Sequence, residues 1–286
     1  MKLIRFGDPG REEPGVLLED GRMVDASGEF RDYDEGFFAS GGLEALAEWV
    51  ADGCKDAPEV SRHERLGPPV ARPSKIVCIG KNYRDHALEM GGELPTEPVM
   101  FMKASSAWSG PKDDVLLPPD STKLDYEVEL AVVIGQTASR IDKEQALAHV
   151  AGYSVFCDFS ERRHQLELGG QWTKGKSADS FAPMGPWLTT ADEVPDPQKL
   201  RIWCEVNGEI RQNSWTSDMT FTVRRLVSEV SKFMTLLPGD VIATGTPSGV
   251  AMGMEQPRYL QAGDLVECCV EGLGKLSQRV IATTQS

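Results

Sequence analysis

The feature that most constrains the fold of this chain is a series of short, apolar, strand-like segments after Ser74, with few helical patterns between them. The strand candidates are YEVELAVVIG, GYSVFCDFS, RIWCEVNGEIRQ, DVIATG, DLVECCVEG and KLSQRVIA. In the third of these segments, Asn207-Gly208 is typical of a two-residue hairpin turn. Because the strands do not alternate regularly with helices, the pattern predicts a β-rich α+β fold rather than a parallel α/β sheet.

By pattern the chain divides into two parts, which we interpret as a small N-terminal α/β domain over residues 1–70 and a larger domain over residues 74–286. A linker that is rich in proline and polar residues separates them. The predicted helices are Leu43–Ala51 in the first part and Tyr83–Glu89, Lys143–His149 and Thr222–Thr235 in the second, with a helical turn near Glu161–Glu167.

Charge and composition exclude several classes of partner. The formal net charge is −14, so nucleic acids would be repelled, and a small anionic substrate would need a metal ion or a buried Lys or Arg beside it. No segment reaches the roughly 18 unbroken apolar residues of a membrane span. The N-terminus lacks the apolar core of a signal peptide, which predicts a cytoplasmic protein without a membrane partner. The six cysteines form no C-x-x-C motif, and we interpret them as reduced thiols.

The segment GGQWTKGKS matches a nucleotide-binding pattern, since Gly170, Gly175, Lys176 and Ser177 satisfy G-x-x-x-x-G-K-[ST]. That pattern binds phosphate only where it connects a buried strand to a helix. Here the preceding residues are charged and helical in pattern, and the prolines that follow, beginning with Pro183, prevent a helix of useful length. We therefore expect no nucleotide ligand, and Lys176 needs another role.

Two glutamates on one strand candidate, Glu127 and Glu129, share a face that continues into Ala131 and Val133. Alternating glutamates are common on a solvated strand, and that interpretation stays open. Strand geometry would place the two carboxylates about 6.5–7 Å apart. Burying two like charges at that separation is unfavourable without a cation between them. Mg²⁺ or Mn²⁺ would suit these oxygen ligands, with Ca²⁺ as a further candidate. Asp158, which follows the next apolar strand, is the best candidate for a third ligand.

A second candidate group is His86 with Glu89, three residues apart on a short helical segment after the strand candidate KIVCIG. A carboxylate beside a histidine raises its basicity and fixes its tautomer, which suits a base that activates water. An exposed pair without a catalytic role is the alternative. Farther along, GDVIATGTPSGVAMG offers backbone N–H groups for an anion, or else forms only a tight structural turn.

Taken in their order, these segments resemble the fumarylacetoacetate hydrolase family. The resemblance rests on GKNYRDHALE, FMKASSAWSGP, DYEVELAVVIG, GYSVFCDFSERRHQ, QWTKGKS, FMTLLPGDVIATGTPSGV and GMEQPRYLQAGD, and it covers the chain from Ser74 onward. The N-terminal part is similar to the small leading domain of bacterial members. Within the family the chain most resembles a bacterial branch whose members carry the names ureidoglycolate lyase or 2,4-diketo-3-deoxy-sugar-acid hydrolase.

The resemblance implies a mixed β-sandwich roll that holds Mg²⁺ or Mn²⁺ at its open end, and it implies a homodimer. The sequence departs from the family pattern at two positions that bear on the shape of the pocket. These are Ala178, which follows the KS pair, and Ala251, which lies within the glycine-rich turn. The matching site positions are Glu127, Glu129 and Asp158 for the metal, His86, Glu89 and Lys176 for catalysis, and Arg162, Gln165 and Thr246 for the carboxylate or oxo group of the substrate.

The reaction that the resemblance implies is metal-dependent hydrolysis of a C–C bond in a 2,4-dioxo acid, either an acylpyruvate or a diketo-deoxy sugar acid. His86, oriented by Glu89, would take a proton from water, and Lys176 would stabilise the developing negative charge. Oxaloacetate decarboxylation, hydration or isomerisation of a 2-oxo-alkenoate, and ureidoglycolate cleavage are alternatives at the same site. A non-catalytic metal-binding protein is the alternative from a different class, although such a protein needs no base.

Overall fold

The computed structural model describes residues 1–91 and 93–283 and shows a strand-rich mixed fold, which confirms the predicted α+β class. Gly92 and residues 284–286, which fall in the predicted larger domain, lie outside the described residues. The first strands are β1 (Lys2–Phe6), β2 (Glu13–Leu17), β3 (Met23–Asp25), β4 (Glu59–Val60), β5 (Ile76–Gly80), β6 (Val99–Lys103), β7 (Trp108–Ser109), β8 (Val115–Leu117) and β9 (Leu124–Asp125). The later strands are β10 (Val128–Ile134), β11 (Val150–Cys157), β12 (Ser160–Glu161), β13 (Ala182–Thr190), β14 (Arg201–Val206), β15 (Glu209–Trp215), β16 (Val241–Ala243), β17 (Leu265–Val270) and β18 (Gly274–Ala282).

Most strands in the described part of the chain belong to one sheet of eleven strands. Its order is β4-β3-β2-β1-β13-β11-β10-β16-β5-β6, and β7 pairs with β13 beside this path. Neighbours are antiparallel except for β16 with β5 and β7 with β13. A second sheet has the order β15-β14-β17-β18-β8, and β9 pairs with β12 alone. The N-terminal strands β1 to β4 thus extend the sheet of the later strands, and the domain boundary at residues 70–74 stays a prediction.

The helices of the described residues are α1 (Glu35–Ala39), α2 (Gly42–Ala51), α3 (Arg84–Glu89), α4 (Arg162–Leu166), α5 (Thr173–Lys176) and α6 (Val223–Phe233). Three predicted helices overlap α2, α3 and α6, and the predicted turn near Glu161–Glu167 coincides with the short helix α4. The prediction for Lys143–His149 is wrong in its extent, because only a 3-10 turn forms at Ala146–His149. The next residue, Val150, already enters β11, and the bond from Gln145 N–H to the Asp142 carbonyl at 3.1 Å is that of a turn rather than a helix.

The two larger sheets face each other around β10, β11 and β13, where β14, β17 and β18 pack on them. Every residue of β10 and β11 is buried as a result. The predicted hairpin is confirmed, since Asn207 and Gly208 connect β14 with β15 at φ values of 52° and 77°. All six cysteines are buried free thiols. In the described residues, no helix has both the length and the apolar character that crossing a membrane requires.

Candidate metal centre and active site

Three carboxylates from two adjacent strands meet at one end of the large sheet. Glu127 directly precedes β10, Glu129 lies in it, and Asp158 directly follows β11. Antiparallel pairing brings the ends together, and the Asp158 N–H donates to the Glu127 carbonyl at 2.9 Å. One ligand oxygen from each side chain lies within 4.8 Å of the other two. The interpretation of Glu127 and Glu129 as solvated residues is excluded, since their exposed fractions are 5% and 2%.

Glu127 and Asp158 share a buried lysine. The Lys176 ammonium donates to Glu127 Oε2 at 2.5 Å and to Asp158 Oδ2 at 2.7 Å. Arg162 donates to the other oxygen of Glu127 at 2.5 Å. Burial raises the pKa of Glu127, but the charges of Arg162 and Lys176 outweigh burial and hold that pKa below its usual range. Burial lowers the pKa of Lys176, but the charges of Asp158 and Glu127 outweigh it and raise that pKa, so the amine stays protonated.

Glu129 differs from the other two carboxylates, because it forms no salt bridge with any Lys or Arg in residues 1–91 and 93–283. Its Oε2 accepts from the N–H of Gly245 at 2.8 Å, where a φ of 98° favours glycine. Burial raises the pKa of Glu129 well above its usual value, and the charges of Asp158 and Glu127 raise it further. A divalent cation would remove this cost, and carboxylate oxygens are ligands that Mg²⁺ and Mn²⁺ prefer. The donor set therefore fits a hard divalent ion.

Two residues of this network are missed by reasoning from the sequence. Lys103, in β6, forms an ion pair with Asp158 Oδ1 and donates to the Phe159 carbonyl at 3.0 Å. Asp125 accepts from Arg162 Nε at 2.9 Å and thereby fixes the guanidinium. The available signals are a lysine inside the apolar segment VMFMK and an acid directly before YEVE. Neither signal is specific, because the partners lie 55 and 37 positions away in the chain.

His86 and Glu89 lie together on α3, with 3.3 Å between His86 Nδ1 and Glu89 Oε2. The N–H of Gly249 donates to Glu89 Oε1 at 3.0 Å, so the turn after β16 holds the carboxylate in place. His86 is buried and lines the same cavity as Glu127 and Lys176. With Nδ1 facing Glu89, Nε2 is the nitrogen that remains to take a proton from water.

Arg162 and Gln165, both predicted to bind substrate, line the cavity. Arg162 is committed to the protein's own carboxylates, as described above, and it also donates to Gln165 Oε1 at 3.1 Å. Because Gln165 Oε1 accepts this bond, the amide NH₂ of Gln165 is the donor that remains for a substrate. Arg162 thus acts as a support of Glu127 in this arrangement, and Gln165 faces the cavity beside it.

Thr246, the third predicted substrate residue, also lines the cavity, but its hydroxyl is engaged. It donates to the Val128 carbonyl at 2.9 Å and accepts from Gln212 Nε2 at 2.7 Å. The hydroxyl proton therefore serves the strand β10 rather than a ligand in this structure. Any contact of Thr246 with a substrate oxygen would have to use its backbone N–H or break this bond.

These side chains face one cavity of about 160 Å³, which is smaller than many ligand pockets. Its polar lining includes Glu127, Glu129, His86 and Lys176, beside Arg162, Gln165 and Thr246. The Lys176 ammonium also lies 5.0 Å from the centre of the Phe101 ring. The apolar wall consists of Ile79, Met90, Phe101, Leu166, Trp172 and Met252. The cavity therefore combines charged and apolar side chains in one lining.

The segment around Lys176 lacks the geometry of a phosphate-binding loop. Helix α5 spans only Thr173–Lys176, so it ends at the lysine where a phosphate loop would begin its helix.

The two residues that depart from the family pattern, Ala251 and Ala178, both pack within the fold. The Ala251 N–H donates to Asp125 at 2.8 Å, and its side chain is buried, while Ala178 packs on the core.

Comparison with known proteins gives consistent results. The family model described as the fumarylacetoacetate (FAA) hydrolase C-terminal domain matches residues 75–281. A protein of Burkholderia multivorans, whose name suggests a hydrolase and gives no substrate, is 49% identical over 279 residues, which cover 97% of this chain and 98% of that protein.

Three solved structures are similar over their whole length. The fumarylacetoacetate hydrolase of Exiguobacterium antarcticum has a TM-score of 0.85 and 39% identity, and it covers 99% of this chain and 100% of its own. The 2-hydroxyhepta-2,4-diene-1,7-dioate isomerase of Mycobacterium marinum has a TM-score of 0.74 and 32% identity, with 100% of both chains covered. The maleylpyruvate hydrolase of Sphingobium sp. SYK-6, in complex with manganese(II) and pyruvate, has a TM-score of 0.81 and 28% identity, with 99% of this chain and 100% of that chain covered. The chain belongs to the fumarylacetoacetate hydrolase family.

Proposed function

We propose that the protein is a divalent-metal-dependent hydrolase that cleaves a C–C bond of a 2,4-dioxo acid to pyruvate and a second acid. The observation that carries this proposal is the convergence of three buried carboxylates, the His86–Glu89 pair and Lys176 on one cavity. A related hydrolase that was crystallised with manganese(II) and pyruvate supports both the ion and the product.

Glu127, Glu129 and Asp158 would hold the ion, with Mg²⁺ or Mn²⁺ as the candidates and Ca²⁺ as a further one. When bound, such an ion supplies Lewis-acid activation and a template for the carboxylate and 2-oxo group of the substrate. Gln165 lies beside this end of the cavity and would donate its amide NH₂ to a substrate oxygen.

His86 would take a proton from a water molecule at Nε2, while Glu89 holds Nδ1–H and stabilises the imidazolium that forms. The water oxygen adds to the C4 carbonyl, and the bond between C3 and C4 then breaks. The fragment with C4 leaves as a carboxylic acid, and C3 receives a proton to become the methyl group of pyruvate. His86 is well placed to return that proton, because no other imidazole lines the cavity in the described residues.

Lys176 would stabilise the negative charge that develops during cleavage. It is protonated, is held by Glu127 and Asp158, and faces the cavity. Preorganised charge of this kind is effective because the apolar wall, with Phe101 and Trp172, limits access of water.

Isomerisation of a 2-oxo-alkenoate is the second candidate. The Mycobacterium marinum isomerase is 32% identical to this chain, which lies between the fumarylacetoacetate hydrolase at 39% and the maleylpyruvate hydrolase at 28%, so similarity to solved structures does not separate the two reactions. An isomerase moves a proton between carbons of its substrate and consumes no water. Product analysis therefore separates the two candidates.

We also propose the homodimer and the domain division at residues 70–74 that the family resemblance implies.

The test is a screen for pyruvate release from 2,4-dioxo acids, including sugar-derived ones, by metal-free protein and by protein loaded with Mg²⁺ or Mn²⁺. We expect release only with metal, and we expect His86→Ala to lower it by about 10²–10⁴-fold with metal content unchanged. Isomerised product without pyruvate would favour the second candidate. Full hydrolysis by His86→Ala would show that the base is assigned wrongly.

A further inference from the structure

Asp125, the last residue of β9, is a fully buried carboxylate that does not line the cavity. Each of its oxygens accepts two hydrogen bonds. Oδ1 accepts from the N–H groups of Tyr126 at 2.9 Å and Ala251 at 2.8 Å. Oδ2 accepts from Arg162 Nε at 2.9 Å and from the N–H of Met252 at 3.1 Å. These four donors compensate the burial of the charge and fix the carboxylate in one orientation.

The contact with Arg162 leads to the carboxylate cluster. The Nε of this side chain donates to Asp125, and its Nη2 donates to Glu127 Oε1 at 2.5 Å. Because a guanidinium group is planar and rigid, its position at Glu127 depends on its anchor at Asp125. The other oxygen of Glu127 accepts from Lys176. Asp125 therefore influences, through Arg162, the orientation of one carboxylate of the cluster.

The remaining contacts fix the turn that follows β16. Ala251 and Met252, whose N–H groups donate to the Asp125 carboxylate, are the first two residues of a 3-10 turn. The hydroxyl of Tyr126, the next residue after Asp125, donates to the Gly249 carbonyl at 3.0 Å. Two consecutive residues thus hold this turn at three points.

The same turn supports Glu89. The Gly249 N–H donates to Glu89 Oε1, and Gly253 packs against the same side chain, since a Cβ at Gly253 would lie 2.3 Å from Glu89 Cδ. Glu89 in turn faces His86 Nδ1. A shift of the turn would therefore move Glu89 and release the His86 ring. Asp125 is thus bonded to the supports of both the carboxylate cluster and the His86–Glu89 pair.

We propose that Asp125 is a positioning residue for both parts of the site: it orients Glu127 through Arg162, and it orients the His86–Glu89 pair through the turn after β16. This inference rests on the proposed function, because that function makes Glu127 an ion ligand and His86 the base. Partners that orient metal ligands change metal affinity by about 10–100-fold when they are removed. A residue with only a structural role would change the free energy of unfolding and leave metal affinity and the His86 ring as they are.

The test compares wild-type protein with Asp125→Asn, which has the same shape but one acceptor oxygen and no charge. In either orientation the new NH₂ group faces an N–H of the turn, and Arg162 loses a charged partner. We expect Mn²⁺ affinity, measured by calorimetry, to fall about tenfold or more. In metal-free protein, the ¹⁵N shifts of the neutral His86 ring should change from those of the Nδ1–H tautomer to those of a mixture.

Asp240→Asn is the matched control. Asp240 is also fully buried, forms an ion pair with Lys75 and accepts from the N–H of Leu237 at 2.6 Å. Its own carbonyl accepts from the N–H of Ile134, at the end of β10 opposite to Glu127. We expect Asp240→Asn to leave the Mn²⁺ affinity and the His86 shifts at wild-type values, whatever it does to the free energy of unfolding.

Three outcomes would overturn the proposal. The first is wild-type Mn²⁺ affinity and wild-type His86 shifts in folded Asp125→Asn. The second is a change in only one of these measurements, because a shared support must affect both. The third is an equal change in Asp240→Asn, which would assign the effect to a general loss of stability. Should Asp125→Asn fail to fold, Asp125→Ser, whose hydroxyl oxygen is an acceptor, replaces it with the same expected results.

Neither measurement uses a substrate, so this inference and the proposed reaction can fail separately. No pyruvate from any 2,4-dioxo acid, together with both changes in Asp125→Asn, would refute the reaction and support the role of Asp125. Pyruvate release by wild-type protein, together with no change in Asp125→Asn, would support the reaction and refute the role of Asp125. Wild-type protein that binds no Mn²⁺ would refute both.

Discussion

The carboxylate cluster has two halves that differ in how their charge is balanced. In the first half, Glu127 forms ion pairs with the buried side chains of Arg162 and Lys176. Asp158 forms ion pairs with buried Lys103 and Lys176. In the second half, Glu129 accepts one bond, from the Gly245 N–H, and contacts no such side chain in the described residues. The protein's own lysine and arginine side chains therefore balance the charge of the first half, whereas the proposed ion would balance that of the second half. The difference would separate what folding provides from what a bound metal would add.

The sharpest test of this difference is the same isosteric change in each half. Glu127→Gln should lower the unfolding free energy of the metal-free protein by about 3–5 kcal/mol, because it leaves buried Arg162 and Lys176 charges unpaired. Glu129→Gln should change it by less than about 1 kcal/mol. Urea denaturation measures both values, and both variants should lose Mn²⁺ binding in calorimetry.

Two outcomes would break the comparison. Equal loss of stability in the two variants would mean that Glu129 has a cationic partner after all. Full metal content in either variant would remove that residue from the ligand set.

The next largest effect is expected at the lysine that joins Glu127 to Asp158. Lys176→Met should lower kcat by about 10²–10³-fold, since it removes a preorganised charge from the cavity. Lys174→Met, two residues away and exposed, serves as the control and should retain full activity. Steady-state pyruvate release measures both variants.

Equilibrium dialysis should find no ATP bound to the wild-type protein, and bound ATP would restore the nucleotide interpretation of GGQWTKGKS.

A smaller effect is expected in the pH dependence of metal binding. The pKa of Glu129 is raised and that of Glu127 is lowered, so Glu129 is the carboxylate that must lose a proton when an ion binds. Below the raised pKa of Glu129, Mn²⁺ affinity should fall about tenfold for each pH unit. A group with a raised pKa stabilises the fold below its unfolded value, and that contribution disappears as the pH rises through the folded pKa. In metal-free protein, Glu129→Gln should therefore raise the free energy of unfolding less at acidic pH than at alkaline pH.

Calorimetry in two buffers with different ionisation enthalpies measures the released proton. Below the raised pKa of Glu129 we expect about one proton released per Mn²⁺ bound, and well above that pKa we expect none. Proton release that does not change with pH would assign the proton to another residue.

Local patterns in the sequence predicted several contacts of this site, whereas the proposed roles of its residues came from the family resemblance. The alternation in YEVELAVVIG predicted a strand with both glutamates on one face, and Asn207-Gly208 predicted a hairpin, because each depends only on neighbouring residues. The three-residue spacing of His86 and Glu89 likewise predicted a contact on one helix face. Features of this kind are encoded over a few positions and could be predicted.

What could not be predicted depends on partners that are distant in the chain. Lys103 meets Asp158 only because β6 and the end of β11 lie near each other in the fold. The engagement of Thr246 requires Gln212 from the second sheet, 34 positions away. The short turn at Ala146–His149 is a further case, since the start of β11 limits the helix that the local pattern favours. Tertiary packing decided each of these.

The pairing of β1 with β13 has a consequence for the edge of β13. Lys2 pairs with Thr189 and Leu3 with Leu188, so the N-terminal segment covers one edge of a long, almost fully buried strand. A fragment that begins at Ser74 would expose that edge, and bare apolar edges recruit strands from other molecules. Strand β1 therefore keeps this part of the edge of β13 from pairing with strands of other molecules.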